Sequence, residues 1–402
     1  MMDAPPGALN YDPYDAEIDD DPYPVWKRLR DEQPLYRNEE HNFWALSRWD
    51  DVEPALIDWA TFRSGKGTTF EIITALVDSD IELPPGLILF EDPPIHDLHR
   101  NLLSRVFTPK RMAAIEPLVR QFCATALDPL VGAGEFDVVA DFASFVPMRT
   151  IGYLLGIPED AQEAIRKDSD ERLALDGDHA AVSDEMCRAK DDLLGDYIDW
   201  RIDHPSDDLM TDLLNAEIDD DGARRRLTRT EVVTYTSMIA GAGNETATRL
   251  IGFTAELLAR HPDQRQAILD DRELLAPAIE EVLRYEAPSP VQARYVARDV
   301  EVRGTTIREG SIMLLLNGSA NRDERHFPDP DRFDVQRADG PHLSFGHGLH
   351  HCLGAALARL EGRVALDEIL RRWPTWDIDV DRGEKAHTAS VRGWETLPFV
   401  TK

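Results

Sequence analysis

Ten residues of this 402-residue chain hold its densest set of reactive side chains: Phe345-Gly-His-Gly-Leu-His-His-Cys352-Leu-Gly354. Leu353, Leu357, Leu360 and Val364 follow at helical spacing, so Cys352 stands where a Gly-rich turn opens a helix. Free backbone N–H groups and the positive end of the helix dipole favour a thiolate there. Gly346, Gly348 and Gly354 remove side chains where the backbone must turn or lie against something flat, and Phe345 can pack on that partner. A soft anionic sulfur beside a flat apolar partner suits haem iron. A buried structural cysteine fits the same residues. The crowd of His342, His347, His350 and His351 also raises zinc, although structural zinc usually takes four ligands in spaced pairs and only one cysteine is here.

Other groups have spacing that bears on chemistry. Glu281-Val-Leu-Arg284 puts an acid and a base one helical turn apart, an arrangement most often found as a solvated surface pair. Ala242-Gly243-Asn244-Glu245-Thr246 lies inside a long helical pattern. Mid-helix glycine costs about 1 kcal/mol against alanine, and threonine can bond back to an upstream carbonyl. Together they open a groove or kink, or merely let two helices cross closely. His96 and Arg100 share a helix face, and Arg294 follows the Pro288-Ser-Pro290 break.

The first segment resembles the cysteine-ligand loop of the cytochrome P450 family, F-x-x-G-x-x-x-C-x-G, at every fixed position. The other groups follow in that family's order along nearly the whole chain. The resemblance implies that Cys352 is the axial ligand of haem b, with Phe345, Gly243 and Gly354 against the cofactor. His96, Arg100, Arg294 and His350 become the partners of its propionates. Thr246 becomes the hydrogen-bonding partner of oxygen, and Glu245 the source of protons. Glu281, Arg284 and Arg337 become a buried ionic group that holds the cysteine loop; such charges must be paired and hydrogen-bonded. The implied fold is mainly α with a small β region: the triangular cytochrome P450 fold enclosing a haem, residues 1–402 as one domain.

The elements that position these residues are partly readable. Residues 1–22 form an acidic, Pro-rich arm. Residues 24–30 begin a helix, Phe43–Leu46 reads as a strand, and a helix follows from about Asp50. Residues 63–95 show no steady period and read as a long loop. Helix returns over 96–131 with a break at Thr108-Pro109, and 136–260 read as mostly helical with acidic punctuation at 176–178, 207–208 and 219–221. The longest run is Arg229 to Arg260, roughly 48 Å at ~1.5 Å per residue, capped by Thr228 or Thr230. A single helix is expected over Asp263–Tyr285, then short strands over 292–302, 305–307 and 311–316.

Composition narrows the function. The formal charge is −32, from 76 acidic and 44 basic residues, which disfavours generic nucleic-acid or anionic-lipid binding. No apolar run reaches membrane-spanning length and no signal-peptide pattern opens the chain, so a soluble, cytoplasmic protein without a membrane anchor is expected. Cys123, Cys187 and Cys352 form no C-x-x-C pair, which points to a reducing compartment. By the resemblance, the reaction inserts one atom of O2 into a hydrophobic substrate such as a terpenoid, lipid or sterol-like molecule. Ile88, Leu89, Phe90, Met238, Ile239, Ala242 and Val291 are the expected lining. No flavin or iron–sulfur segment is present, so a separate ferredoxin and reductase supply electrons. Arg100, Arg105, Lys110, Arg111, Arg359, Arg363, Arg371 and Arg372 are expected to give that partner a local positive face. A peroxide-driven peroxygenase and a haem-bearing binding protein without turnover are the alternatives.

Overall fold

A computed structural model describes residues 9–77, 86–104, 106–159, 161–162, 193–220, 222–338, 340–388 and 390–402. The helices are α1 (Ala16–Asp20), α2 (Tyr23–Glu32), α3 (Trp49–Ile57), α4 (Phe70–Leu76), α5 (Ile95–Leu103), α6 (Pro109–Leu127), α7 (Phe145–Leu155), α8 (Leu193–Asp203) and α9 (Leu209–Asn215). They continue with α10 (Arg229–Arg260), α11 (Pro262–Asp270), α12 (Leu275–Tyr285), α13 (Asn317–Ala320) and α14 (Ala355–Arg372). Helix dominates, as expected.

The central element is α10. Thr228 begins it with a capping box: its hydroxyl accepts the Glu231 N–H, and the Glu231 carboxylate accepts the Thr228 N–H. Arg225 adds two hydrogen bonds of 2.9 Å to Glu231. From Ala247 to Leu258 every residue of α10 is buried, so this half is enclosed on all sides. It packs against α7, α12 and α14. Leu250, Leu257, Leu258, Val364, Leu366 and Ile369 meet there with at most 1 % of their surface exposed, each stabilising the fold by roughly 1.5–3 kcal/mol.

The β portion is small. A five-stranded sheet has the order β1 (Leu35–Asn38), β2 (Phe43–Leu46), β10 (Ile312–Leu315), β7 (Gln292–Val296), β3 (Phe62–Arg63). β10 runs parallel to β2, and the remaining pairs are antiparallel. β8 (Val300–Val302) and β9 (Thr305–Ile307) form a hairpin beside it.

Several expectations are corrected. Residues 63–95 contain α4, capped by the Thr69 side chain. The helix expected over 263–285 is two, parted where the Asp271 carboxylate accepts the Glu273 N–H and starts a new turn. Within 136–260 lies a hairpin of β5 (Glu217–Asp220) and β6 (Ala223–Arg226), whose register sets Glu217 opposite Arg226 and Asp219 opposite Arg224. Charged residues fill most of its positions, with no apolar alternation. The chain end, not foreseen as strand, adds β11 (Trp376–Ile378), β12 (Glu384–His387), β13 (Arg392–Thr396) and β14 (Pro398–Thr401). β14 also pairs with β4 (Glu135–Asp137), a partner about 260 residues earlier. Cys187 and the acidic run 176–178 lie outside the described residues.

Candidate active site

The segment before α14 turns tightly on Cys352, whose N–H donates to Phe345 O at 2.8 Å. Gly346 and Gly348 have φ of +68° and +71°, a region that costs L-residues. A Cβ on Gly348 would lie 3.1 Å from the Ile57 Cα and 3.2 Å from the Leu56 carbonyl, so α3 passes directly against the turn. A Cβ on Gly354 would meet nothing within 4 Å.

Cys352 is surface-accessible although it lies deep in the protein. Burial raises its thiol pKa; the Gly354 N–H and the charges of Arg100 and Arg359 oppose that rise without overcoming it. The Gly354 N–H acts in the direction expected of a helix start, favouring the thiolate, while burial acts against it. A cation bound beside the sulfur would favour the thiolate further.

Beside this turn, four expected residues converge. The rings of His96, on α5, and His350 lie 4.5 Å apart. Arg100 donates to His351 O at 2.5 Å. Arg294, on β7, is 4 % exposed, and its recorded hydrogen bond is to the neighbouring carbonyl of Ala293. Burial lowers its pKa to about 10, with partial relief from Asp92. Burial, then the charges of Arg294, His96 and Arg100, pushes the His350 imidazole down to about 3. The Nε2 atoms of His96 and His350 are buried without hydrogen-bond partners. Orphaned buried polar groups and an unneutralised buried arginine are costly. This donor set fits a ligand with two carboxylates, as a haem has, above a sulfur that can take its iron.

The support beneath is dense. Arg284 binds Glu281 through two bonds of 2.7 and 2.8 Å, and Arg337 reaches the same carboxylate at 3.3 Å. Arg284 also donates to the carbonyls of Asn321 and Pro330, and Arg337 to those of Pro328, Asp329 and Arg332. Asn321 Oδ1 accepts the Leu343 N–H at 2.7 Å, and Ser344 Oγ donates to Leu283 O at 2.6 Å. The irregular backbone is thus pinned from α12 up to the residue before Phe345. Phe345 itself lies under the Arg359 guanidinium, 4.5 Å from its ring, and Arg359 is held by Glu280 at 2.7 and 3.0 Å.

The histidines do not gather as a metal site. His342 Nδ1 accepts the Ser344 N–H and its Nε2 faces Glu280, His347 faces Glu53, and His350 faces His96. Among the described residues no group of three or more His, Cys, Asp or Glu is placed to hold a metal ion.

On α10, Thr246 is half-buried and Ala242 is open. The Thr246 hydroxyl donates to Ala242 O at 3.2 Å, the back-bond its position suggested. Glu245 is 6 % exposed and accepts from Arg249 at 3.3 Å. Arg249 in turn reaches Glu395, whose side chain is 61 % exposed, at 2.9 Å. Gly243 has a packing reason: a Cβ there would lie 2.8 Å from Ile151 of α7. Of the expected lining, Leu89 and Ala242 are open, Phe90, Met238 and Val291 are half-buried, and Ile88 and Ile239 are packed in the core.

Most arginines of the expected positive face are held in ion pairs. Arg111 pairs with Asp212, Arg359 with Glu280, Arg363 with Glu116, Arg371 with Asp367, and Arg372 with Asp128 and Glu368. An acidic chain surrounds its arginines with carboxylates, so most of their field is neutralised at contact. Lys110 is exposed and, among the described residues, in no ion pair, and Arg105 lies outside the described residues. Sequence reasoning also missed three groups: Glu280 with His342 and Arg359, Arg249 with Glu395, and Glu91 with His99. Each joins positions whose separation in sequence gives no pattern.

Comparison with known proteins agrees with this geometry. The Cytochrome P450 family model matches residues 174–388. Cytochrome P450 130 of Mycobacterium tuberculosis is 36% identical over 398 residues, covering 96% of each chain. The 6-deoxyerythronolide B hydroxylase of Saccharopolyspora erythraea is 38% identical over 309 residues, covering 76% of each. The structure of cytochrome P450 CYP109Q5 from Chondromyces apiculatus superposes with a TM-score of 0.85 at 32% identity, covering 98% of both chains.

Proposed function

Because this chain belongs to the cytochrome P450 family, we propose that it inserts one oxygen atom from O2 into a hydrophobic small molecule, using electrons from a separate ferredoxin and reductase. It is an oxidoreductase of the monooxygenase type, and proteins of its family carry haem b on a cysteine thiolate. The observation that carries the detailed assignment is the convergence of His96, Arg100, Arg294 and His350 beside Cys352. It supports a dianionic edge held there and an iron ligand at Cys352.

Cys352 Sγ would hold the iron, the four basic residues would hold the propionates, and Phe345 would lie beside the sulfur. Bound there, haem supplies the activation of O2 and the oxidising power that breaks an unactivated C–H bond. The chain's own part is positioning and proton supply. The Thr246 Oγ donates to Ala242 O, which leaves its lone pairs available to accept a hydrogen bond. Glu245 is the carboxylate assigned to proton supply, and its ion pair with Arg249, which reaches the exposed Glu395, ties it to the surface. A buried acid linked to the surface through ionisable groups is the arrangement proton delivery requires.

The substrate is apolar, in the class of terpenoids, lipids or sterol-like molecules. Leu89, Met238, Ala242 and Val291 favour such a ligand, and the similar hydroxylase from Saccharopolyspora is a named oxygen-inserting relative. Among the described residues no helix is long and apolar enough to cross a membrane, which supports a cytoplasmic enzyme. With the arginines beside Cys352 neutralised, Lys110 is the residue assigned to attract an acidic ferredoxin. The test is turnover under 18O2 with NAD(P)H, ferredoxin and reductase against a panel of apolar substrates. Product carrying one labelled oxygen is expected; product formed from peroxide alone, with none from NAD(P)H, contradicts the proposal.

A further inference from the structure

Between α5 and α10 lies a second polar cluster that the oxygen chemistry does not use. His99, fully buried on α5, donates from Nδ1 to both oxygens of Glu91, at 2.7 and 2.9 Å. The same carboxylate accepts the Gly86 N–H at 2.8 Å. Glu91 thus closes the six residues 86–91 into a ring around the short helical turn Ile88–Phe90. Gly86 has φ +100°, and a Cβ there would lie 3.4 Å from Tyr235 Cζ and 3.5 Å from Glu231 O. The ring is therefore pressed onto α10 at a position only glycine occupies without strain. The Tyr235 ring also meets the His99 ring edge-on, at 5.2 Å and 83°.

This contact lies on the face of α10 that carries Ala242 and Thr246, the face that meets substrate in the functional reading above. At ~100° per residue, Tyr235, Ala242 and Thr246 fall within about 40° of one another around the helix, and Tyr235 is about 10 Å from Ala242 along it. Stability alone does not explain the cluster. The His99 Nε2 and the Tyr235 hydroxyl are buried without hydrogen-bond partners, and apolar side chains of similar volume often stabilise a core as well as a buried ion pair does. What a carboxylate adds is geometry, because it alone ties Gly86 and His99 to one point.

We infer that the buried Glu91–His99 pair is a positioning device that fixes the turn carrying Leu89 and Phe90 against α10, and so limits the passage of bulky ligands to the Thr246 side of the chamber. The inference rests on the functional reading above, in which that chamber receives the substrate.

Full-length holoprotein is titrated in a stopped-flow instrument with imidazole, a small iron ligand, and clotrimazole, a bulky one, following the Soret band. In Glu91→Leu/His99→Leu, clotrimazole associates and dissociates about tenfold faster, while imidazole stays within about twofold of wild type, since loosening a gate acts on rates in proportion to ligand size. Glu91→Gln keeps an acceptor for the Gly86 N–H but no carboxylate spanning both donors. It shows the same size-dependent change at about threefold, and it carries the test alone should the double variant not fold. Unchanged clotrimazole rates in these variants overturn the inference, and so does an equal change for both ligands. Wild-type holoprotein whose Soret band responds to neither azole overturns the functional reading instead.

Discussion

The region that presents Cys352 and the region that presents Thr246 are built differently. The cysteine side is irregular backbone with few ladder hydrogen bonds of its own, and buried side chains from distant segments satisfy it: Glu281, Arg284, Asn321 and Arg337. The Thr246 side is one long continuous helix whose backbone satisfies itself, with the Thr246 hydroxyl back-bonded to Ala242 O. A loop held by long-range charges ties function to stability. A helix held by its own backbone bonds and by apolar packing does not depend on the Thr246 hydroxyl for its position.

That contrast breaks most easily at Arg284. Arg284→Ala leaves the Glu281 carboxylate buried beside Arg337 alone and strands two backbone carbonyls. Loss of about 3–5 kcal/mol is expected, read by urea unfolding and by a fall in haem content. Thr246→Ala is the counterpart on the other side. Stability and haem content stay near wild type, while product per NAD(P)H falls about tenfold and hydrogen peroxide rises in its place. A protein destabilised as much by Thr246→Ala as by Arg284→Ala erases the distinction.

The cysteine side differs also in pH response. Glu361, on α14 and 1 % exposed, has its carboxyl pushed up to about 8 by burial, against a hydrogen bond to Thr150. A carboxyl of ordinary pKa when unfolded and about 8 when folded favours the folded state fully below pH ~4.5, and that support is lost as pH rises toward 8. Over this window the protein weakens by on the order of 3–4 kcal/mol from this group. Glu361→Gln flattens the decline, gaining stability at pH 8 and little at pH 5, as thermal unfolding at the two pH values shows. The smallest effect belongs to the surface. Lys110→Glu slows ferredoxin reduction about twofold to fivefold at low salt and hardly at all at high salt, because screening shortens the field. The azole Soret shift stays constant.

How much was legible in the sequence follows the same division. The cysteine loop, Glu281–Arg284 and Ala242–Thr246 were readable because each holds fixed residue types at fixed short spacing, and Thr228 announced the start of α10 by a local cap. The C-terminal strands were not readable, since β14 pairs with β4 across the whole chain and neither shows alternation. Nor was the neutralisation of Arg363 by Glu116 or Arg372 by Asp128, which depends on how α6 and α14 lie together. Glu91 and His99 escaped for a subtler reason. They flank Asp92–His96, and nothing local shows that both side chains turn inward.

The most direct measurement concerns the sulfur. Dithionite-reduced protein under CO should give the red-shifted Soret band of thiolate-ligated haem, and Cys352→His should move it to the band of imidazole ligation with haem retained. A variant whose CO band is unchanged from wild type would contradict the account at its centre, because the iron would then be held by another residue.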